Sequence, residues 1–150
     1  MTTPRYTLKL AEEWGEIKPQ DGVDPERRVF RSRARSVTLV VSTQALNAKL
    51  EDAERIGREV LKLRLGAENA AAGAAGVQVN LEGPAIALRD WGCGIAYAGF
   101  DTAGRRFNYS GMVTHNQVLG VYLDTRTLSA ADLADIMSEV LTGLEFDRAR

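Results

Sequence analysis

The chain has 150 residues, with nineteen Lys and Arg against twenty Asp and Glu, for a formal charge of −1. That length fits a single domain, since domains run to ~100–200 residues and a chain of this size buries a core without disulfides. The near balance of charge excludes a global field that would gather nucleic acid or an anionic membrane, and the lone Cys93 excludes an intrachain disulfide framework or a thiolate zinc cage.

The opening residues, Met-Thr-Thr-Pro-Arg-Tyr-Thr-Leu, lack the apolar centre of a signal peptide. No apolar run approaches the ~20 residues that span a bilayer, so a soluble cytoplasmic protein is expected. Tyr6, Leu8 and Leu10 alternate with Thr7 and Lys9, the pattern of a strand with one face on a core and one in water. From Trp14 to Pro25 the pattern is broken by Gly15, Pro19 and Gly22 and reads as a loop. Strands are expected around Arg28–Arg33 and Val37–Ser42, and the tight Arg33-Ala34-Arg35-Ser36 joint makes them a hairpin.

Leu46, Leu50, Ala53, Ile56, Val60, Leu63 and Ala67 recur at three- and four-residue steps and predict an amphipathic helix that frays across 67–76. Val77, Val79 and Leu81 begin a second group of strands. Gly83-Pro84 marks a turn or bulge, because proline cannot donate to a central ladder. Further strands are expected around Ala85–Arg89, Ile95–Phe100, Arg105–Val113 and Val118–Asp124, with joints so short that neighbours must be antiparallel. The closing helix carries two start signals: Ser129 with Asp132 as a capping box, and Leu128 with Leu133 as a hydrophobic staple. Leu133, Ile136, Met137, Val140, Leu141 and Leu144 supply its apolar stripe and Gly143 a stop.

The fold class expected is α+β: an antiparallel sheet of about six or seven strands, with both helices packed on one face and the other face open. Aromatic residues left on the open side would form a binding surface.

No catalytic constellation stands out. His115, the single histidine, sits in a strand-to-strand turn with no orienting partner nearby in sequence, and reads as a surface residue before a general base. Cys93, within Trp91-Gly92-Cys93-Gly94, reads as a packing cysteine; a nucleophile paired with His115 is the alternative. One histidine and no clustered carboxylates leave no metal site, and the glycines at 92, 94 and 99 match no phosphate loop, so neither metal nor cofactor is expected. The arginines at 27, 28, 31, 33 and 35 are the main charged cluster: either a solvated edge kept from aggregating, or a grip for phosphates or an acidic protein.

The order of these elements resembles the PsbP/Mog-one superfamily, in its bacterial DcrB-like branch. The resemblance is carried by the Tyr-Thr-Leu-Lys-Leu strand, the Glu-Glu-Trp segment, the hairpin ending in Ser-Val-Thr-Leu-Val-Val-Ser, the amphipathic helix, the Gly-Pro-Ala-Ile-Ala-Leu strand, the meander and the capped final helix. It implies a largely non-enzymatic binding module, with bacterial relatives that load type VI secretion toxins as chaperones or neutralise them as immunity proteins. The mixed polar face expected here departs from the apolar groove of a chaperone. The leading expectation is therefore an immunity protein occluding a toxin, with Arg28, Arg31, Arg33, Arg106, Tyr109 and His115 as contacts. An effector chaperone, commonly a homodimer, comes second, and a small Cys93/His115 enzyme third.

Overall fold

The computed structural model describes residues 6–18 and 26–146. In chain order they form β1 (Tyr6–Leu8), β2 (Trp14–Ile17), β3 (Arg27–Ser32), β4 (Val37–Ala45), α1 (Ala53–Ala75), β5 (Val79–Arg89), β6 (Gly92–Asp101), β7 (Arg106–Val113), β8 (Gln117–Thr125), α2 (Ala130–Thr142) and β9 (Leu144–Phe146). Seven strands make one antiparallel sheet in the order β2-β3-β4-β8-β7-β6-β5, and β1 pairs with β9 as a separate two-stranded sheet. The α+β class and the antiparallel sheet are as the alternation predicts.

The helices do not share a face. Directly paired residues point the same way, so the pairs Val113↔Val118 and Met112↔Leu119 mark opposite sides of the sheet. Val113 and Val118 pack with Cys93, Ile95, Phe107 and with Leu61 of α1. Met112 and Leu119 pack instead with Leu39, Val121 and with Leu133, Ile136 and Val140 of α2. The expectation of one helix-covered face is thus corrected to a central strand buried on both sides. The cause is visible in β8, where Val118 and Tyr122 on one face and Leu119, Val121 and Leu123 on the other are all apolar or aromatic, and both faces demand cover.

Three boundaries also differ. Residues 14–17, read as loop, form edge strand β2, because Trp14 reaches the α2-side core while its backbone pairs with Ser32; residues 19–25 of that expected loop lie outside the described residues. Helix α1 starts at Ala53 after a single 3-10 turn over Leu50–Asp52 and does not fray at Ala67. Alanine is the best helix former, Ala72 is buried, and Gly76 closes the helix in the left-handed conformation at φ 71°. Leu144 belongs to β9 and not to the helix stripe, since Gly143 ends α2 and donates back to the Glu139 carbonyl. Ser129 caps α2 as predicted, its hydroxyl accepting from the Asp132 amide at 3.2 Å.

At the β2–β3 edge, Glu13 accepts from the Ser32 hydroxyl and from Arg35, and Arg35 also reaches Glu139 of α2 at 2.9 Å. The Ser32 hydrogen bond, then Arg35, hold Glu13 below the ordinary 4.5, and Arg28 does the same for Glu16. Both carboxylates release protons more readily folded than unfolded, so their contribution is present above about 4.5 and is lost as pH falls through the lower folded values. Urea melts of wild type and Glu13→Gln should therefore differ at neutral pH and converge on acidification; a constant difference would contradict this reading.

Candidate docking surface

On the α1 side the sheet register lines up one row across six strands: Ile17, Val29, Val40, Tyr122, Tyr109 and Tyr97. Helix α1 packs on β5, β6 and β7. It covers the tyrosine end of the row and leaves the Ile17–Val29–Val40 end beyond its flank. Ile17 is 49 % exposed, and Val29 and Val40 are partly exposed. Arg31 and Thr38 flank this end in the next same-face row on one side, and Arg27 and Ser42 on the other.

The covered end holds a polar cluster. Glu68 of α1, 8 % exposed, accepts from the Tyr97 hydroxyl at 2.7 Å and the Tyr122 hydroxyl at 2.8 Å through one oxygen. Arg64, one helical turn earlier, donates to the Tyr97 oxygen at 2.9 Å and lies 4.6 Å from the Tyr109 ring centre and 5.0 Å from that of Tyr122. Arg105 approaches the other Glu68 oxygen at 3.9 Å and pairs with Asp124 at 3.3 Å. A buried carboxylate is costly unless hydrogen bonds and opposite charge meet it, and here two phenols and two guanidiniums do so. Burial pushes all three tyrosines above their ordinary 10; donation to Glu68 adds to this at Tyr97 and the negative charge of Glu68 at Tyr122, whereas Arg64 opposes it at Tyr109. These phenols are donors, not bases.

A groove of about 500 Å³ opens where α1 leaves the sheet, with Val60, Leu63 and Arg64 on one wall, Ser42 and Tyr109 on the floor and Arg27 at the rim. The Tyr109 ring lies flat because Gly111 and Gly120 have no side chains: a Cβ there would come within 2.7 Å and 3.1 Å of the Tyr109 oxygen. Tyr109 is 5 % exposed, and its hydroxyl makes no hydrogen bond among the described residues.

The residues expected as contacts are scattered over this architecture. Arg31 and Tyr109 point to the α1 side, Arg31 donating to Thr38 at 3.0 Å. Arg28 lies on the α2 side, held bidentate by Glu16 at 2.8 and 3.1 Å and stacked 5.0 Å over Phe30. Arg106 is also on that side, 5.2 Å from the Phe100 ring. Arg33 is exposed beyond the end of β3, and His115 sits at the opposite end of the sheet in the β7–β8 turn. Arg31 and Tyr109 therefore belong to one face, and Arg33 follows Arg31 at the same two-residue step, its amide donating to the Glu13 carbonyl just past the end of β3. Arg27, which the sequence places only within the basic cluster, lies on the α1 side opposite Ser42. Sequence reasoning missed Arg64 and Glu68, although Glu68 follows Leu61 and Leu65 and precedes Ala72 at steps of three, four and seven, a charged residue inside an apolar stripe.

Cys93 is fully buried, its thiol directed at the Gly57 backbone of α1, where a Cβ would stand 2.8 Å away. Burial, then the charge of Glu54, push that thiol up, which disfavours the thiolate a nucleophile needs. Its sulfur donates to the Gly94 carbonyl at 3.6 Å, and the buried Nδ1 of His115 has no hydrogen-bond partner, so the two are not joined. Among the described residues no group of three or more His, Cys, Asp or Glu is placed to hold a metal ion, and no helix is long and apolar enough to cross a membrane.

No family model and no curated protein matches this sequence. Among solved structures the chain is similar to the solution structure of the cyanobacterial PsbP protein (CyanoP) from Synechocystis sp. PCC 6803, at 15 % identity and a TM-score of 0.64, over 95 % of this chain and 87 % of that one. It is also similar to a crystal structure from Bacteroides thetaiotaomicron VPI-5482, at 14 % identity and a TM-score of 0.51, over 97 % of this chain but 47 % of that one. The fold is PsbP-like.

Proposed function

We propose that this chain is a non-catalytic protein-binding module of the bacterial DcrB-like kind, a cytoplasmic immunity protein that occludes a toxin with the uncovered half of the α1 face. The observation that carries the reading is the Ile17–Val29–Val40 row set between arginines. Arg27, Arg31 and Arg33 have no carboxylate at ion-pair distance among the described residues, whereas Arg28 and Arg35 are both engaged. An apolar strip rimmed by unpaired guanidiniums suits a folded, acidic partner: the strip supplies desolvation and the rim supplies steering and register.

Affinity capture with the purified chain, identification of what it retains, and titration of that purified partner test the reading. Arg31→Glu with Arg33→Glu is expected to raise Kd by about 100-fold, or about 2.7 kcal/mol, with the melting temperature unchanged because both side chains are exposed. Unaltered affinity, or substrate turnover by the purified chain alone, would overturn it. The effector-chaperone reading draws on Leu63, 71 % exposed beside the groove. It predicts binding of an apolar segment that added salt leaves intact, whereas the immunity reading predicts weakening as salt screens the arginines.

A further inference from the structure

The groove beside α1 carries chemistry that the docking surface alone does not require. Most of its polar groups can donate: the Tyr109 hydroxyl on the floor, the Ser42 hydroxyl beside it, the Gln44 amide, and the guanidiniums of Arg27 and Arg64. Val60, Leu63 and Val118 supply apolar wall, and Glu26 is the one acid among the described lining residues. Tyr109 is the telling member. It is more than nine-tenths buried and lines the groove, yet its oxygen is left without a partner where every other tyrosine in the row donates to Glu68. The hydroxyl is reachable from the groove and makes no hydrogen bond to the protein among the described residues, so an incoming acceptor meets a free donor. Gly111 and Gly120 keep the floor low enough for that acceptor to arrive, since a side chain on either would collide with the Tyr109 ring or Ser42.

Resting on the protein-docking reading, we infer that this groove is the anchor point for a carboxylate: an Asp or Glu side chain of the partner, flanked by apolar residues, enters between Arg27 and Arg64 and accepts from the Tyr109 and Ser42 hydroxyls. The apolar neighbours of that acid pack on Val60 and Leu63. Charge complementarity selects the occupant: Arg27 has no carboxylate at ion-pair distance among the described residues, and Arg64, 3.8 Å from Glu68, shows the rest of its guanidinium to the groove. Charge-assisted hydrogen bonds to a carboxylate are about twice as strong as neutral ones, so an isosteric amide fits the same space and binds more weakly.

The probe is acetyl-Leu-Glu-Leu-amide, titrated into the full chain and followed by amide proton–nitrogen correlation spectra, with acetyl-Leu-Gln-Leu-amide as control. The expected result is saturable shifts at Ser42, Gln44 and Gly120, binding at least about tenfold tighter for the Glu peptide, and a matching loss in Tyr109→Phe and in Arg27→Gln. Tyr109→Phe is expected to keep the wild-type melting temperature, because its hydroxyl makes no internal hydrogen bond to lose. Equal binding of the two peptides, or shifts confined to another surface, would overturn the inference. Acetate alone matching the Glu peptide would also overturn it, by assigning the groove to free carboxylates. Failure here is separable from failure of the docking proposal, since the partner titration reads Arg31 and Arg33 outside the groove and the peptide titration reads Tyr109 within it.

Discussion

Glu68→Ala is expected to cost about 3–5 kcal/mol, the range for removing one member of a buried charged cluster, and to lower the melting temperature by about 10 °C. The loss is large because of what stays behind. The Tyr97 and Tyr122 hydroxyls lose their acceptor, and the guanidiniums of Arg64 and Arg105 lose the carboxylate that draws them under α1. Glu68→Gln keeps an acceptor oxygen and is expected to fall between wild type and alanine. Replacing the whole cluster, with Glu68→Leu, Arg64→Met, Tyr97→Phe, Tyr122→Phe and Arg105→Met together, should recover most of the loss, because a matched apolar set leaves none of the cluster's donors stranded. Chemical denaturation of the three variants measures this directly. A cost below about 1 kcal/mol for Glu68→Ala would mean that the cluster is wet and adds little, and the account of how α1 is fixed to the tyrosine row would fail.

How far these features could be read in advance depends on which physical signal each one leaves. Strands β3, β4, β6, β7 and β8 and helix α2 were legible because alternation, short joints and the Ser129 cap are local, whereas β5 is one strand bulged between Glu82 and Ala85 and not two strands divided at Gly83-Pro84. The sidedness of the helices was not legible, although β8 contained the clue: a strand whose two faces are both apolar must be covered twice, and Val118-Leu119-Gly120-Val121-Tyr122-Leu123 is such a run. Polar Arg106, Asn108 and Ser110 on the neighbouring β7 suggested an open side, but all three are half-buried, Asn108 and Ser110 pairing with the fully buried Leu123 and Val121 of β8. The candidate site was harder still. Alternation placed Tyr109 and Tyr122 on their strands, but only the register makes them neighbours of each other and of Tyr97, and register is set by pairing across 25 residues of chain. Arg64 and Glu68 arrive from a helix that precedes all three strands. Long-range coincidence of this kind leaves no local spacing to find, except the misplaced charge of Glu68 within the α1 stripe.

The same three tyrosines set the behaviour in alkali. Burial is the first cause that raises Tyr97, Tyr109 and Tyr122, so in the folded chain they remain protonated above 10, where tyrosines of the unfolded chain ionise. Above that value the unfolded state binds fewer protons than the folded one, and stability falls as pH rises toward the folded values. Each group contributes a slope of up to about 1.4 kcal/mol per pH unit, so the three together approach about 4 kcal/mol per unit. Against a total of about 5–15 kcal/mol for a domain, that is enough to unfold the chain within a few units of alkalinisation. Denaturation midpoints between about pH 9 and pH 11 should drop steeply in wild type and far less in Tyr97→Phe with Tyr122→Phe. In a background with Tyr6→Phe and Tyr109→Phe, tyrosinate absorbance should rise together with loss of the native circular dichroism and not before it. Ionisation of Tyr97 or Tyr122 while the dichroism stays native would show that water reaches the Glu68 cluster beneath α1, and would remove the premise that helix and sheet meet there around a dry, shared carboxylate.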